Sequence, residues 1–122
     1  MENTNPTPEP TYDISMIREI SRGNEAFIQK MLGIFVEQTP QHLDEMRSHF
    51  NQSNWQRMGE LAHKIKPTID NLGIKAIKGA IRDMESIGKS GEGTERMGGL
   101  LQRIEQVMDQ AVKAIRFDYR MI

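Results

Sequence analysis

His63 and Lys66 are the residues whose types and spacing could do chemistry in this chain. An exposed imidazole is the best nitrogen nucleophile that a protein has near neutral pH, since its reference pKa is about 6.5. If one ring nitrogen attacked a phosphoryl group, the added group would be dianionic, and Lys66 at i+3 could stabilise it. Gly59 one turn before and Pro67 one turn after carry little bulk. The spacing therefore favours a histidine that accepts a phosphoryl group.

His63 is predicted to lie on the polar side of an amphipathic helix. Apolar residues recur at spacings of three and four, as in a helix that buries one face: Leu61, Ile65, Ile69 and Leu72. At about 100° per residue, His63 lies roughly 160° from Ile65. The ring therefore points away from the core, where a reaction partner can reach it.

The following helix offers groups that could orient and assist the ring. An acceptor beside one nitrogen of a neutral imidazole fixes its tautomer. Lys78, Arg82 and Glu85 form one stripe beside the predicted core stripe of that helix. We expect Glu85 to face His63 and to accept from the ring. Lys78 or Arg82 would add positive potential.

Simpler interpretations of the histidines stay open. Taken alone, the position of His63 is that of an ordinary surface histidine. His42 and His49 are seven residues apart and share a helix face, but two histidines without carboxylate partners make a weak metal site. Ordinary surface or half-buried histidines explain them better, and we predict no metal site.

The composition is that of one ordinary globular domain. The chain has 122 residues, of which 37% are hydrophobic and 27% charged, and its formal net charge of −1 supplies no basic field for nucleic acid. It has no cysteine, which excludes disulfides and thiolate metal sites. No apolar run approaches the roughly 20 residues of a membrane span, and the polar, proline-bearing N-terminus does not resemble a signal peptide. The default expectation is a cytoplasmic protein that contacts neither nucleic acid nor a membrane.

Five segments are predicted to be helices, and no pattern favours a strand. Their bounds are a short helix from Asp13 or Ser15 to Ser21, a long helix from the cap Asn24 to Asn51 that bends at Pro40, the histidine helix from Trp55 to Leu72 with Gly73 after it, a fourth helix from Ile74 to Lys89, and a fifth from Thr94. Short loops make neighbouring helices antiparallel. We therefore predict an all-α, up-down-up-down four-helix bundle with a short additional N-terminal helix. Residues 1–12 are predicted to be a flexible tail and residues 13–122 the bundle domain.

The apolar positions of two helices predict their buried faces. On the long second helix the predicted phase is Phe27, Met31, Ile34, Phe35, Leu43, Met46 and Phe50. On the fourth helix it is Ile74, Ile77, Ile81, Met84 and Gly88.

The segment 63–67, which reads His-Lys-Ile-Lys-Pro, and the Leu72-Gly73 pair after it resemble the signature of histidine-containing phosphotransfer (HPt) domains. That signature is H-x-L-K-G, then four variable residues, then L-G. The resemblance covers residues 13–122 and implies a monomeric four-helix bundle in a two-component phosphorelay of bacterial type. The histidine of such a bundle accepts a phosphoryl group from a receiver-domain aspartate or a sensor kinase and passes it to another receiver aspartate. By this resemblance His63 is phosphorylated, Lys66 is its electrostatic partner, and Glu85 bonds the ring.

Pro67 departs from the family pattern, which usually has glycine at this position. Proline is small enough to leave His63 reachable, but it lacks the N–H that would bond the His63 carbonyl. We therefore expect a bend at the active turn, with an effect on ring geometry and on the choice of partner.

The resemblance implies a carrier that is not an enzyme and needs no cofactor of its own. Response-regulator receivers and a hybrid sensor histidine kinase would be its partners, and the receiver would bring the Mg²⁺ and the aspartate. The residues expected to contact a partner are Met16, Ile17 and Ile20 of the first helix, Gly59, Lys64 and Pro67 around the histidine, and Lys78 and Arg82 of the fourth helix. Core packing is an equal alternative for the three apolar residues. The initial methionine and polar tail favour a stand-alone protein.

Two other functions remain open from the sequence. A bundle of the same shape that has lost phosphotransfer would be a phosphorylation-independent adaptor for receivers or other signalling proteins. A metal-binding bundle would require carboxylate partners for His42 and His49.

Overall fold

A computed structural model describes residues 10–121 of the chain. The described residues form five α-helices: α1 (Ser15–Ile20), α2 (Glu25–Asn51), α3 (Trp55–Asn71), α4 (Lys78–Ser90) and α5 (Met97–Asp118). The helix α3 packs on α2 and α4, and α5 packs on the same two helices, so the four long helices close around one core. The predicted four-helix bundle with a short N-terminal helix is confirmed. None of the helices within residues 10–121 has the length and apolar character to cross a membrane.

Asparagine caps begin the two helices that precede and carry the histidine. The Asn24 side chain accepts from the Phe27 N–H at 3.1 Å, and the Asn54 side chain accepts from the Arg57 N–H at 3.3 Å. Each cap satisfies a backbone donor that lacks an intrahelical acceptor. The beginnings of α2 and α3 are therefore encoded locally.

The end of α3 is a Schellman motif. Gly73 has φ +58°, its N–H donates to the Asp70 carbonyl at 3.1 Å, and the Ile74 N–H donates to the Ile69 carbonyl at 3.1 Å. A Cβ at Gly73 would also lie 2.8 Å from the Cβ of Asp13. The predicted helix end at Gly73 is confirmed, and it fixes the length of α3 beyond His63.

The predicted buried face of α2 is partly wrong. The structure buries Ile28 and Leu32 completely, whereas Phe27 and Ile34 are each 40% exposed. The residues 27, 31 and 34 and the residues 28, 32 and 35 both follow helical spacing, so the period alone cannot choose between two adjacent apolar faces. Contact with α3 and α5 selects the second face.

Two of the predicted helices begin later than expected. A 3₁₀ turn at Lys75–Ile77 precedes α4, and another at Thr94–Arg96 precedes α5. The predicted core residues Ile74, Ile77, Ile81 and Met84 are buried, although the first two precede α4. Ile87 completes the buried stripe, and Gly88 instead faces α3.

The predicted tail lies mostly outside the described residues, which begin at Pro10. Tyr12 packs against the core and donates a hydrogen bond to Asp118. Burial, followed by the bond to Asp118, raises the pKa of the Tyr12 hydroxyl. The ordered contacts of the domain therefore include Tyr12, which the sequence assigned to the tail.

Candidate functional site

The helix α3 presents His63 to solvent because its opposite face is anchored in the core. Ala62 and Ile65, on either side of His63, are 0% and 4% exposed, whereas the His63 side chain is 70% exposed. Lys66 lies one turn further along and its side chain is 26% exposed. The structure therefore places the predicted nucleophile and cation on one accessible edge of α3.

Glu85 of α4 bridges these two residues. One carboxylate oxygen, Oε2, contacts His63 Nδ1, and the other, Oε1, accepts from Lys66 Nζ at 2.7 Å. An ionised carboxylate can only accept, so Nδ1 carries the hydrogen of this bond. Nε2 makes no hydrogen bond to any group in residues 10–121. A neutral His63 therefore has its Nε2 lone pair facing outward.

The electrostatics of the site keep Glu85 ionised. The hydrogen bond from Lys66, followed by the bond from His63, holds the pKa of the Glu85 carboxyl below its usual range. The Glu85 side chain is 14% exposed, and its bond to Lys66 is partly buried, whereas its bond to His63 is open to solvent. The acceptor of the ring is therefore charged at neutral pH.

A pair of glycines lets α3 and α4 approach closely beside the site. A Cβ on Gly88 would lie 2.6 Å from Gly59 Cα and 2.7 Å from the Trp55 carbonyl oxygen. Gly59 lies one turn before His63, and Gly88 lies one turn after Glu85. Gly59 was predicted to leave room for a partner, but it is buried against α4. The absence of a side chain there serves mainly the contact between the helices.

An open groove of about 860 Å³ begins at His63 and Glu85 and continues over the two glycines. It ends at Trp55 and Gly91, at the end of the bundle where α3 begins and α4 ends. Through this groove a partner protein can reach the edge of the His63 ring from the end of the bundle where α3 begins and α4 ends.

Arg82 does not face the ring. Its Nη2 donates to Asp70 Oδ2 at 2.7 Å and its Nη1 donates to the Lys78 carbonyl at 3.1 Å. The carboxylate of Asp70 thus offsets the positive charge that Arg82 was predicted to add near His63. Lys78 is exposed and borders a shallow cavity with Asp13 and Met16, away from the groove at His63.

The three apolar residues of α1 have different surroundings. Met16 and Ile20 are 48% and 64% exposed, whereas Ile17 is 3% exposed. The prediction that Ile17 contacts a partner is therefore wrong. The helix α1 has only six residues and depends on packing for its stability, and Ile17 is the residue that it buries against the bundle. Met16 and Ile20 remain accessible.

Lys64 and Pro67 are both exposed on α3. Pro67 lies inside the helix, which is assigned as helical through Asn71. The bend predicted at Pro67 remains a prediction.

His42 and His49 do not belong to a cluster of metal-binding side chains among the described residues. Within residues 10–121 no group of three or more histidine, aspartate or glutamate side chains could hold a metal ion. His49 Nε2 lies 3.6 Å from Glu45 on the same helix. Burial, followed by the charge of Lys64, lowers the pKa of His42. Both histidines are half-buried residues of α2.

Asp70 is a charged neighbour of the site that the sequence analysis missed. It lies four residues after Lys66 on α3, and Arg82 lies three residues before Glu85 on α4. On two antiparallel neighbours this pattern pairs Lys66 with Glu85 and Asp70 with Arg82. The alternation of charge along both helices was the available signal.

The comparisons with known proteins identify the family. A family model described as the Hpt domain matches residues 30–115. The chain belongs to the HPt domain family. HPt domains act in histidine phosphotransfer of two-component signalling, and they are phosphocarrier modules without catalytic sites of their own. No curated protein and no solved structure matches the chain.

The HPt match contains His63, Lys66 and Glu85 and begins within α2. It does not include α1, which carries Met16 and Ile20. As a family, HPt domains carry phosphoryl groups without a cofactor and interact with receiver domains and kinases.

Proposed function

We propose that His63 accepts a phosphoryl group from a receiver-domain aspartate or a sensor kinase and passes it to the aspartate of another receiver in a multi-step phosphorelay. The observation that carries this proposal is the state of the ring. Glu85 occupies Nδ1, while the 70% exposed side chain presents Nε2 to solvent.

The transfer step follows from that geometry. The Nε2 lone pair forms a bond to phosphorus as the bond between phosphorus and the aspartate oxygen breaks. The electron pair of the broken bond leaves with the aspartate as a carboxylate. Nδ1 keeps its hydrogen, so the ring becomes cationic, and the Glu85 carboxylate compensates that charge. Transfer onward to a second receiver reverses these bond changes.

Lys66 would stabilise the phosphoryl group after it arrives. In the free protein its ammonium is bound to Glu85 at 2.7 Å. A dianionic group on His63 one turn away attracts the same ammonium, and the flexible lysine side chain can turn toward it. Lys66 would thus bind the Glu85 carboxylate in the free protein and the phosphoryl group in the phosphorylated protein.

The receiver would bring the remaining chemistry. We propose that this chain has neither an ATP site nor a metal site, and that the receiver supplies the Mg²⁺ and the aspartate. Positioning and electrostatics then account for the transfer.

Docking is proposed to use the surface around His63 and α1. Met16 and Ile20 offer exposed apolar area, and Lys64 and Lys78 offer positive charge at the rim. Such a contact is suited to the transient binding of a monomer. We place the protein and its partners in the cytoplasm.

The test is transfer of labelled phosphoryl from a phosphorylated receiver to the wild-type protein, to His63→Gln and to His42→Gln. We expect label on the wild type and on His42→Gln, lost in acid and stable in base, and none on His63→Gln. Circular dichroism should show the same helix content in all three. Acid-labile label on His63→Gln would contradict the assignment of His63. Tight receiver binding without label on any protein would support the adaptor function instead.

A further inference from the structure

The ion pair between Asp70 and Arg82 lies one turn from the site and has no assigned role. The two side chains are 30% and 40% exposed, and their contact of 2.7 Å joins α3 to α4. Charge-assisted bonds of this kind hold a guanidinium in a defined orientation. The pair therefore decides where the Arg82 charge is located.

Glu85 is the alternative partner of that guanidinium. Arg82 and Glu85 are three residues apart on α4, the spacing at which side chains on a helix surface meet. The charge of Glu85 already contributes, after the bond to Asp70, to raising the pKa of Arg82. If Arg82 turned toward Glu85, it would compete with His63 and Lys66 for the two oxygens of one carboxylate.

We propose that Asp70 is a positioning residue, which holds Arg82 against α3 so that Glu85 stays bound to His63 and Lys66. By holding Arg82, Asp70 of α3 would keep Glu85 available as the acceptor for His63 on the same helix. The consequence for phosphoryl uptake rests on the proposed function, but the consequence for the ring does not.

When Asp70 is lost, we expect Arg82 to disrupt the contacts of Glu85 with His63 and Lys66. In Asp70→Asn the neutral amide no longer retains the Arg82 guanidinium, which then turns toward Glu85, three residues further along α4. His63 then loses the acceptor at Nδ1 for part of the time and populates both neutral tautomers. Removing Arg82 as well should leave Glu85 bound to His63, because the competitor is gone.

The experiment measures the effect of Asp70→Asn in two backgrounds, wild type and Arg82→Gln. The first readout is the ¹⁵N NMR spectrum of the His63 ring at alkaline pH, where imidazole rings are neutral. The second is the rate of phosphoryl uptake from a phosphorylated receiver. Asp83→Asn is the matched control, since Asp83 likewise pairs with an arginine but lies on α4, where it contacts Arg96 at 2.9 Å, just before α5.

In the wild-type background we expect Asp70→Asn to move the ring from the Nδ1–H form toward a mixture and to slow uptake by about threefold to tenfold, the scale of coupling between neighbouring charged groups. In the Arg82→Gln background the same substitution should change neither readout. Asp83→Asn should leave the ring signals of His63 in place.

A different result is expected if the Asp70–Arg82 pair only holds α3 and α4 together. The Asp70→Asn and Arg82→Gln variants would then resemble each other, and the double variant would be no better than Asp70→Asn. Either that result or an unchanged ring spectrum in Asp70→Asn would overturn the proposal. If no variant takes up phosphoryl but the ring spectra behave as expected, the proposed function fails and the positioning role stands.

Discussion

The contact between α3 and α4 differs in construction from the contact between α2 and α5. At the first, Gly88 brings two backbones together, since a Cβ there would meet Gly59 Cα at 2.6 Å. At the second, a Cβ on Gly98 would meet only the ring of Phe50, at 3.2 Å. The first contact is backbone on backbone and the second is mediated by a side chain.

The charged groups at the two contacts differ in the same way. Across α3 and α4, Glu85 binds two residues of the other helix, and the Asp70–Arg82 pair follows one turn further. Across α2 and α5 a single pair, Arg47 with Glu105, spans the helices, with Arg47 Nε donating at 3.0 Å. We expect a close backbone contact to hold a ring in one orientation more firmly than a contact made by long side chains. The histidine lies at the close contact.

The largest expected effect comes from adding one methyl group at each contact. Gly88→Ala must separate α3 from α4, because the three atoms nearest to its Cβ, all within 3 Å, are backbone atoms of α3. We expect it to lower the free energy of unfolding by about 1 to 3 kcal/mol and to slow phosphoryl uptake strongly. Gly98→Ala should change the free energy of unfolding by less than about 1 kcal/mol, because the Phe50 ring can turn.

Urea unfolding and uptake kinetics on both alanine variants make this comparison. Equal loss of stability in the two variants would show that the α3–α4 contact is no more rigid than the α2–α5 contact.

The next effect comes from removing one carboxylate at each contact. Glu85→Ala takes away the acceptor at His63 Nδ1, so uptake should slow by at least about tenfold, the scale on which one oriented hydrogen bond acts on a rate. Glu85→Gln retains a carbonyl oxygen that can accept from Nδ1 but not the charge that compensates the cationic ring, so its rate should lie between those of the wild type and Glu85→Ala. Glu105→Ala, at the other contact, should leave uptake unchanged and cost less than about 1 kcal/mol of stability.

Stopped-flow or quenched-flow transfer with all three variants gives the rates. A Glu105→Ala rate as low as that of Glu85→Ala would mean that general loosening of the bundle, and not the orientation of the ring, governs uptake.

The smallest expected effect is on the pH dependence of stability. The pKa of Glu85 is lower in the folded protein than in the unfolded chain, mainly because of the bond from Lys66. Its contribution is therefore present above the usual carboxyl pKa of about 4.3 and is lost as pH falls through the lower folded value. The difference in unfolding free energy between wild type and Glu85→Gln should shrink as the pH falls below about 4.3. A difference that grew as the pH fell below that value would contradict the assigned charge state.

Much of the fold was predictable because it is encoded in local signals. Asn24 caps the helix that it was predicted to cap, Asn54 caps α3 in the same way, and Gly73 ends α3 with a positive φ. The spacing of Ile65 and Ile69 placed His63 on the opposite, accessible side of α3. Local periodicity and capping require no knowledge of the neighbouring helix.

The errors arose where the neighbouring helix decides. Both Phe27 and Ile28 begin an apolar series at helical spacing, and only contact with other helices shows that Ile28 is buried. Gly59 was interpreted as space for a partner, whereas Gly88 of α4 occupies that side. Lys78 or Arg82 was expected to add positive potential near the ring, but Arg82 is bound by Asp70, a residue that the sequence analysis passed over. Pairing between helices depends on their register, which the spacing within one helix does not reveal.

The most direct test of the account is the position of the phosphoryl group on the phosphorylated protein, determined by combined ³¹P and ¹⁵N NMR of the His63 ring. The account predicts phosphorus on Nε2, with Nδ1 still carrying its hydrogen toward Glu85. Phosphorus on Nδ1, or on any residue other than His63, would contradict it.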